Sequence, residues 1–379
     1  MKENPVRELG KLGQSIWIDY IRRDLITSGS LTRLIEDDGL RGMTSNPAIF
    51  EKAIAGSTVY DEEIRDLARK GNDVMTILEE LTLHDVRSAA DEFRQVYAAS
   101  GGRDGYVSLE INPHLAHDTR ASIDEGRRLW EALDRPNVFI KVPATIEGLP
   151  VIRQLISEGI NVNVTLLFDV PRYRGVAAAY IEGLEARLAA GKDLHSVASV
   201  ASFFVSRIDS LVDQQLKGIV ARNEAQAVAA QSLLGQVAID NARSAYLTYK
   251  ATFSEERFRR LEAKGARTQR VLWASTSTKD PSYSDVKYVE ALIGPETVNT
   301  MPVETIDAYR DHGHPAARLE SERSNTGWAL RRLAEVGIDM EAVARRLEDE
   351  GVEKFNKPFD SLLDTLAQKV ASEGIGVRG

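Results

Sequence analysis

Short runs rich in Val, Ile, Leu and Phe recur along the chain, with helix-period stretches between them. The runs are Ser15–Asp19, Leu40–Thr44, Gly105–Glu110, Val138–Val142, Asn161–Leu166, Val197–Phe203, Arg270–Ala274 and Thr297–Met301. Their lengths suit buried parallel strands, which are apolar on both faces. Between them, Val86, Ala90, Phe93 and Tyr97 recur at three- or four-residue steps and so share one helical face. Gly39 and Gly159 each follow an apparent helix, at the position where a left-handed backbone ends it. Eight strand–helix units predict an α/β fold that closes as a (β/α)8 TIM barrel rather than opening into a doubly wound sheet. No G-x-G-x-x-G or G-x-x-x-x-G-K motif follows any run, which argues against a dinucleotide- or NTP-binding architecture.

A chain of 379 residues has room for one large domain or two. The connections after the second and sixth runs are long, yet helical in pattern and free of Pro/Gly/Ser-rich linkers. Residues 1–379 therefore read as a single barrel domain with additional helices. In the stretch Met340 to Ala371, the side chains of Val343, Leu347, Phe355, Phe359, Leu362 and Leu366 need a surface to pack on, so a C-terminal helical tail, 340–379, is expected to fold over the barrel. With 43% hydrophobic and 28% charged residues, a sizeable core is available and wholesale disorder is excluded. No stretch approaches the ~18 uninterrupted apolar residues of a membrane span. Met1 to Gly13 lacks the apolar core of a signal peptide, so a cytoplasmic location is expected. The absence of Cys removes disulfides, thiolate metal sites and cysteine nucleophiles. The net charge is -9, and bases are interspersed with acids, as in Arg257-Phe258-Arg259-Arg260-Leu261-Glu262. That pattern argues against a broad nucleic-acid surface but permits a small phosphate, which needs only two or three local donors. A monomer or homodimer without nucleic-acid or membrane partners is expected.

Reactive groups in such a barrel come from the C-terminal ends of the strands. Lys141 lies within the apolar run Asn137 to Thr145, and no other lysine is placed that way. Burial favours the neutral amine, and a neutral amine at a strand end can condense with a carbonyl. The plainer alternative is a lysine that packs its stem and lets its head snorkel or pair with a carboxylate. Glu110 ends the third run, where Glu is a poor strand former and rarely buried alone, so it either serves the chemistry or pairs with Lys141. Asn161, Asn163 and Thr165 fall at period two on one face, opposite Val162, Val164 and Leu166. Each would cost ~1–3 kcal/mol if left unsatisfied, so convergence with a lysine and a carboxylate is expected. Asp19 is a catalytic candidate or the cap of the next helix, and Asn46 before Pro47 is also a turn signal. Arg207 stands at a helix start and could equally be a surface residue. Ser275-Thr276-Ser277-Thr278-Lys279 combines hydroxyls, N–H groups and a cation, the makings of a phosphate cradle. The pairs His114/His117 and His312/His314 lack a third ligand at a recognisable spacing, so no metal is expected.

Five segments together resemble the transaldolases, Schiff-base enzymes of the non-oxidative pentose phosphate pathway. They are Gly42 to Pro47, Val107 to Glu110, Val138 to Thr145, Gly159 to Phe168 and Ala201 to Ile208. The resemblance implies that Lys141 is the Schiff-base nucleophile and that Glu110 with Thr165 holds a proton-relaying water. It implies further that Asp19 takes the proton from the C4 hydroxyl during carbon–carbon cleavage. Asn46, Asn163 and Ser202 would orient substrate hydroxyls or the dihydroxyacetone adduct, and Arg207 and Ser275 would bind the sugar phosphate. Many members carry a second phosphate-binding arginine shortly after the serine matching Ser275; here Lys279 is expected to take that role. The chain is longer than the shorter members, mainly around Gln214 to Arg260 and in the tail, which suggests a longer-chain subgroup.

The implied reaction transfers a dihydroxyacetone unit between sedoheptulose 7-phosphate/glyceraldehyde 3-phosphate and erythrose 4-phosphate/fructose 6-phosphate, with no cofactor. The nearest alternative is a fructose-6-phosphate aldolase, which typically has an amide where this chain has Glu110. A pyridoxal-phosphate enzyme and a sugar-phosphate binding protein are the others. A catalytic lysine is usually tuned from roughly 10.4 to about 7–8, and an ionised Glu110 in direct contact would oppose this. A water or the Thr165 hydroxyl is therefore expected between the two.

Overall fold

Residues 4–222, 225–321 and 325–372 are described by the computed structural model of the chain. The strands are β1 (Gln14–Asp19), β2 (Gly42–Thr44), β3 (Tyr106–Glu110), β4 (Val138–Pro143), β5 (Val162–Leu167), β6 (Ser199–Phe204), β7 (Arg270–Ala274) and β8 (Thr297–Met301). All pair in parallel in chain order, and β8 returns to β1 with Met301 opposite Ile18, so the barrel closes. Each strand is buried along nearly its whole length, which is why the sequence shows apolar runs without alternation. Most boundaries lie within two residues of the expected runs. At Gly42 a Cβ would come within 2.5 Å of the Trp17 ring, so only glycine admits the close approach of β1 and β2. Gly39 and Gly159 do adopt left-handed backbones, with φ of 70° and 94°.

At the barrel floor, Arg270 pairs with Asp104 at 2.8 Å. Asn161 also sits low: its amide donates to the carbonyls of Pro136 and Val138, and its carbonyl accepts from the Ala198 N–H. It is therefore satisfied without reaching the mouth. One continuous cluster of buried apolar residues runs from Val6 to Val370 and joins barrel, outer helices and tail.

The long connections are helical, as expected. Helices Pro47–Ala55, Asp61–Arg69, Val74–Glu92 and Arg94–Ala99 follow β2, while Ser206–Ala221, Ala227–Leu233, Val237–Thr252 and Glu256–Glu262 follow β6. The tail is one helix, Met340–Ser372, and it crosses the C-terminal mouth of the barrel; residues 373–379 lie outside the described ones. Gly351 rests on Leu166 so closely that a Cβ there would lie 2.8 Å from Leu166 Cδ2. Four residues on, Phe355 is nearly buried, with its ring 5.8 Å from Lys141 Nζ. No described helix is long and apolar enough to cross a membrane.

Candidate active site

Strand register assembles the centre of the site. Glu110 on β3 stands opposite Lys141 on β4, and Asn163 on β5 stands opposite Lys141 from the other side. Lys141 is 5% exposed, and its Nζ lies 2.9 Å from Glu110 Oε1 while donating to the Ser45 carbonyl at 3.0 Å. The expectation of a hydroxyl or water between the two groups is therefore corrected: the pairing is direct, because adjacent parallel strands bring the two side chains into contact. The carboxylate is an off-line ion-pair partner. Among the described residues, neither of its oxygens has a hydrogen bond of good geometry. Burial pushes the Glu110 carboxyl up from its ordinary range, and the charge of Lys141 only partly opposes this.

Thr165, one residue short of a break in β5, has a buried hydroxyl without a hydrogen-bond partner among the described residues. The register between β5 and β6 shifts after Val164, and Leu166 takes a left-handed φ of 60°, unusual for a side chain of its size. Glu110, Lys141 and Thr165 line a small cavity of about 10 Å³ that Val352 and Phe355 of the tail helix close.

Asp19 ends β1 and is no helix cap: the next helix begins at Arg23, and the carboxylate instead accepts from the Thr44 hydroxyl at 2.7 Å. Thr300 on β8 lies 2.7 Å from Thr44, completing a chain of hydroxyls behind Asp19. Burial raises the Asp19 carboxyl above its usual range against the pull of Lys141, the Thr44 hydroxyl and Arg207.

These groups open on one cleft of about 490 Å³, which Asp19, Lys141, Thr165, Asn46, Ser202, Arg207, Ser275 and Lys279 all line. Asn46 uses its carbonyl to cap the helix Pro47–Ala55 through the Ile49 N–H, leaving its amide N–H groups to donate. Asn163 does not reach the cleft: it is fully buried, donates to Ser108 Oγ and accepts from Ser202 Oγ at 2.7 Å, and so positions Ser202.

At the other end, Arg207 begins the helix Ser206–Ala221 with its guanidinium 5.0 Å from the Phe204 ring. Its Nη1 is buried without a hydrogen-bond partner among the described residues, so it is not the surface residue its place at a helix start allowed. Ser275 turns the chain with a φ of 55° and lies hydroxyl to hydroxyl with Ser206 at 3.0 Å. Lys279 donates to Ser277 at 2.6 Å, and burial with the neighbouring Arg207 pushes its amine down.

Sequence reasoning missed Ser45, Thr44 and Thr300, and the cleft residues Tyr20, Lys52, Glu304, Lys354 and Phe355. Only the tail residue Phe355 gave a signal, as an apolar position lacking a partner. The histidines sit outside the site: His114 pairs with Asp360, His117 with Glu147 and His312 with Asp285.

A closed parallel barrel with a buried lysine, Asp19 and a cationic end on one C-terminal cleft, and Glu110 paired behind the lysine, has the architecture of a barrel enzyme. The family described as Transaldolase/Fructose-6-phosphate aldolase matches residues 16–366. The chain is 48% identical over 376 residues to the transaldolase of Trichodesmium erythraeum, with 98% of each chain covered. It is 48% identical over 375 residues to transaldolase 2 of Nostoc punctiforme, again with 98% of each covered. Against the transaldolase of Acidothermus cellulolyticus the identity is 50% over 362 residues and 95% of each chain. The chain belongs to the transaldolase/fructose-6-phosphate aldolase family, as its strand-end segments indicated.

Proposed function

We propose that this enzyme moves a dihydroxyacetone unit from fructose 6-phosphate or sedoheptulose 7-phosphate to an aldose phosphate through an imine on Lys141. The observation that carries the reading is the direct contact between Lys141 and a carboxyl that burial has pushed up. Such a carboxyl can take the ammonium proton across the 2.9 Å contact, freeing the amine lone pair. The amine adds to the C2 ketone, and the resulting hydroxyl leaves as water with a proton from Glu110. Glu110 and Thr165 both bury oxygens without a hydrogen-bond partner among the described residues, and a water held between them would relay the protons.

The iminium then draws the electrons of the C3–C4 bond as Asp19 accepts the C4 hydroxyl proton. Products are an aldose phosphate and an enamine on Lys141. An acceptor aldehyde adds to the enamine carbon, its oxygen takes the proton back from Asp19, and water releases the new ketose. Asn46 and Ser202 would hold the sugar hydroxyls, and Arg207, Ser275 and Lys279 the phosphate. Residues 1–379 would act as one unit in the cytoplasm, as a monomer or homodimer, on sugar phosphates without a cofactor.

Borohydride reduction in the presence of fructose 6-phosphate, followed by peptide mass mapping, tests this. The expected result is a reduced adduct on Lys141; label elsewhere or nowhere overturns it. Free dihydroxyacetone forming as fast as transfer would move the enzyme to the aldolase branch of its family.

A further inference from the structure

The cleft holds more positive charge than the chemistry at Lys141 uses. Lys141 itself is neutralised by Glu110, and Lys354 by Glu350 at 3.1 Å. Lys279 is occupied by Ser277. Arg207 and Lys52 have no ion-pair partner among the described residues. Lys52 lies in the last turn of the helix Pro47–Ala55, whose first residues follow the cap Asn46 at the same cleft. It reaches the cleft from the β2 side, whereas Ser275 and Lys279 come from the loop after β7.

We propose that Lys52 is a third cation of the phosphate end, and that it selects phosphorylated over unphosphorylated substrates. This rests on the transfer reaction proposed above. Lys52, Arg207 and Lys279 line the same cleft, with Ser275 and Ser277 among its walls. Glu304 and Asp19 are the acids on the cleft, and neither forms an ion pair with any of the three among the described residues. Three mutually repelling cations are relieved by a dianion, whereas a neutral aldehyde end gains nothing from them. Arg207 is half-buried with its Nη1 out of contact with solvent, whereas Lys52, on the same cleft, is exposed. That exposure suits a charge that meets the phosphate as it arrives.

The test compares Lys52→Gln, Lys52→Glu and Lys52→Arg with the unmodified enzyme at saturating fructose 6-phosphate, using erythrose 4-phosphate or erythrose as acceptor. In Lys52→Gln, kcat/KM for erythrose 4-phosphate should fall about tenfold, the scale of one charge-assisted contact, and that for erythrose less than about twofold. Lys52→Glu should fall further, Lys52→Arg should recover most of the loss, and the inhibition constant of inorganic phosphate should rise in step. Equal losses for both acceptors, or none for either, would overturn the assignment. Hydride trapping on the unmodified enzyme keeps the two readings separate. If trapping labels Lys141 while the acceptor ratio is unmoved, Lys52 alone is misassigned; if trapping fails, the transfer reaction is at fault.

Discussion

Replacing Phe355 by Ala should turn part of the transfer activity into release of free dihydroxyacetone. The ring is 7% exposed, stands 5.8 Å from Lys141 Nζ and helps to close the cavity beside Glu110 and Thr165. Its loss should cost about 3–5 kcal/mol, the range for truncating a buried aromatic to Ala. The helix Met340–Ser372 is otherwise held along its length by Val343, Leu347, Leu362, Leu366 and Val370, so the variant should fold with a lower Tm. What changes at the site is water access to the enamine carbon. If the lost cover removes only about 1.4 kcal/mol of the barrier to protonation by solvent, the leak rises tenfold. The assay incubates the enzyme with fructose 6-phosphate, first without and then with erythrose 4-phosphate, and follows dihydroxyacetone and sedoheptulose 7-phosphate. Phe355→Leu, which keeps most of the volume, should stay close to the parent. A variant that loses stability but keeps the parent ratio of release to transfer would show that the tail is only structural. An unchanged Tm would refute the packing argument itself.

Lys141→Ala should abolish transfer. Glu110→Gln should cut kcat about 10²–10⁴-fold, the usual worth of a positioned acid–base group, with KM little changed, as steady-state kinetics would show. Because burial raises both Asp19 and Glu110, kcat/KM should fall with decreasing pH from a point above the ordinary carboxylate range near ~4, and Asp19→Asn should alter that acid limb. Asp209 accepts hydrogen bonds from the Ala238 N–H and Tyr288 hydroxyl, and burial pushes it up to about 6 from 3.8. A raised carboxyl stabilises the fold below its unfolded value, and this stabilisation is lost as pH rises through about 6. Urea unfolding from pH 4 to 7 should show up to ~3 kcal/mol of pH dependence that Asp209→Asn lacks.

The barrel was legible because burial on both faces of a parallel strand writes itself as an uninterrupted apolar run, and eight such runs leave few architectures. The proposed reactive centre stood out for the same reason: a lysine and a glutamate are conspicuous only against such a background. Period two grouped Asn161, Asn163 and Thr165 but could not tell depth. Asn161 is satisfied at the barrel floor, Asn163 is held by Ser108 and Ser202, and Thr165 alone reaches the cleft. Nor could it foresee the left-handed Leu166, which ends the alternation where Gly351 of the tail presses on it. Direct contact of Lys141 with Glu110 depends on pairing register, and Lys52 and Phe355 depend on where two helices cross the mouth. Those are tertiary facts with no local signature.

Closure of the barrel also explains how so many charges stay out of water near one another. Burying even a paired ion costs several kcal/mol, and a direct contact with imperfect hydrogen-bond geometry repays only part of it. The residues that bear this cost are not in the site. The pairings Val107 with Val138, Ile140 with Val162 and Trp17 with Gly42 lie just below it, and they fix the register that sets Glu110 against Lys141 and Asp19 against Thr44. A slip of one residue would turn each of these groups to the outside and each apolar neighbour inward, so the packing that selects the register also places the groups proposed to do the chemistry. The raised carboxyls at Asp19 and Glu110 are then direct consequences of the fold: the core that excludes water disfavours their charge, and a carboxyl so disfavoured is suited to accept and return a proton within one turnover.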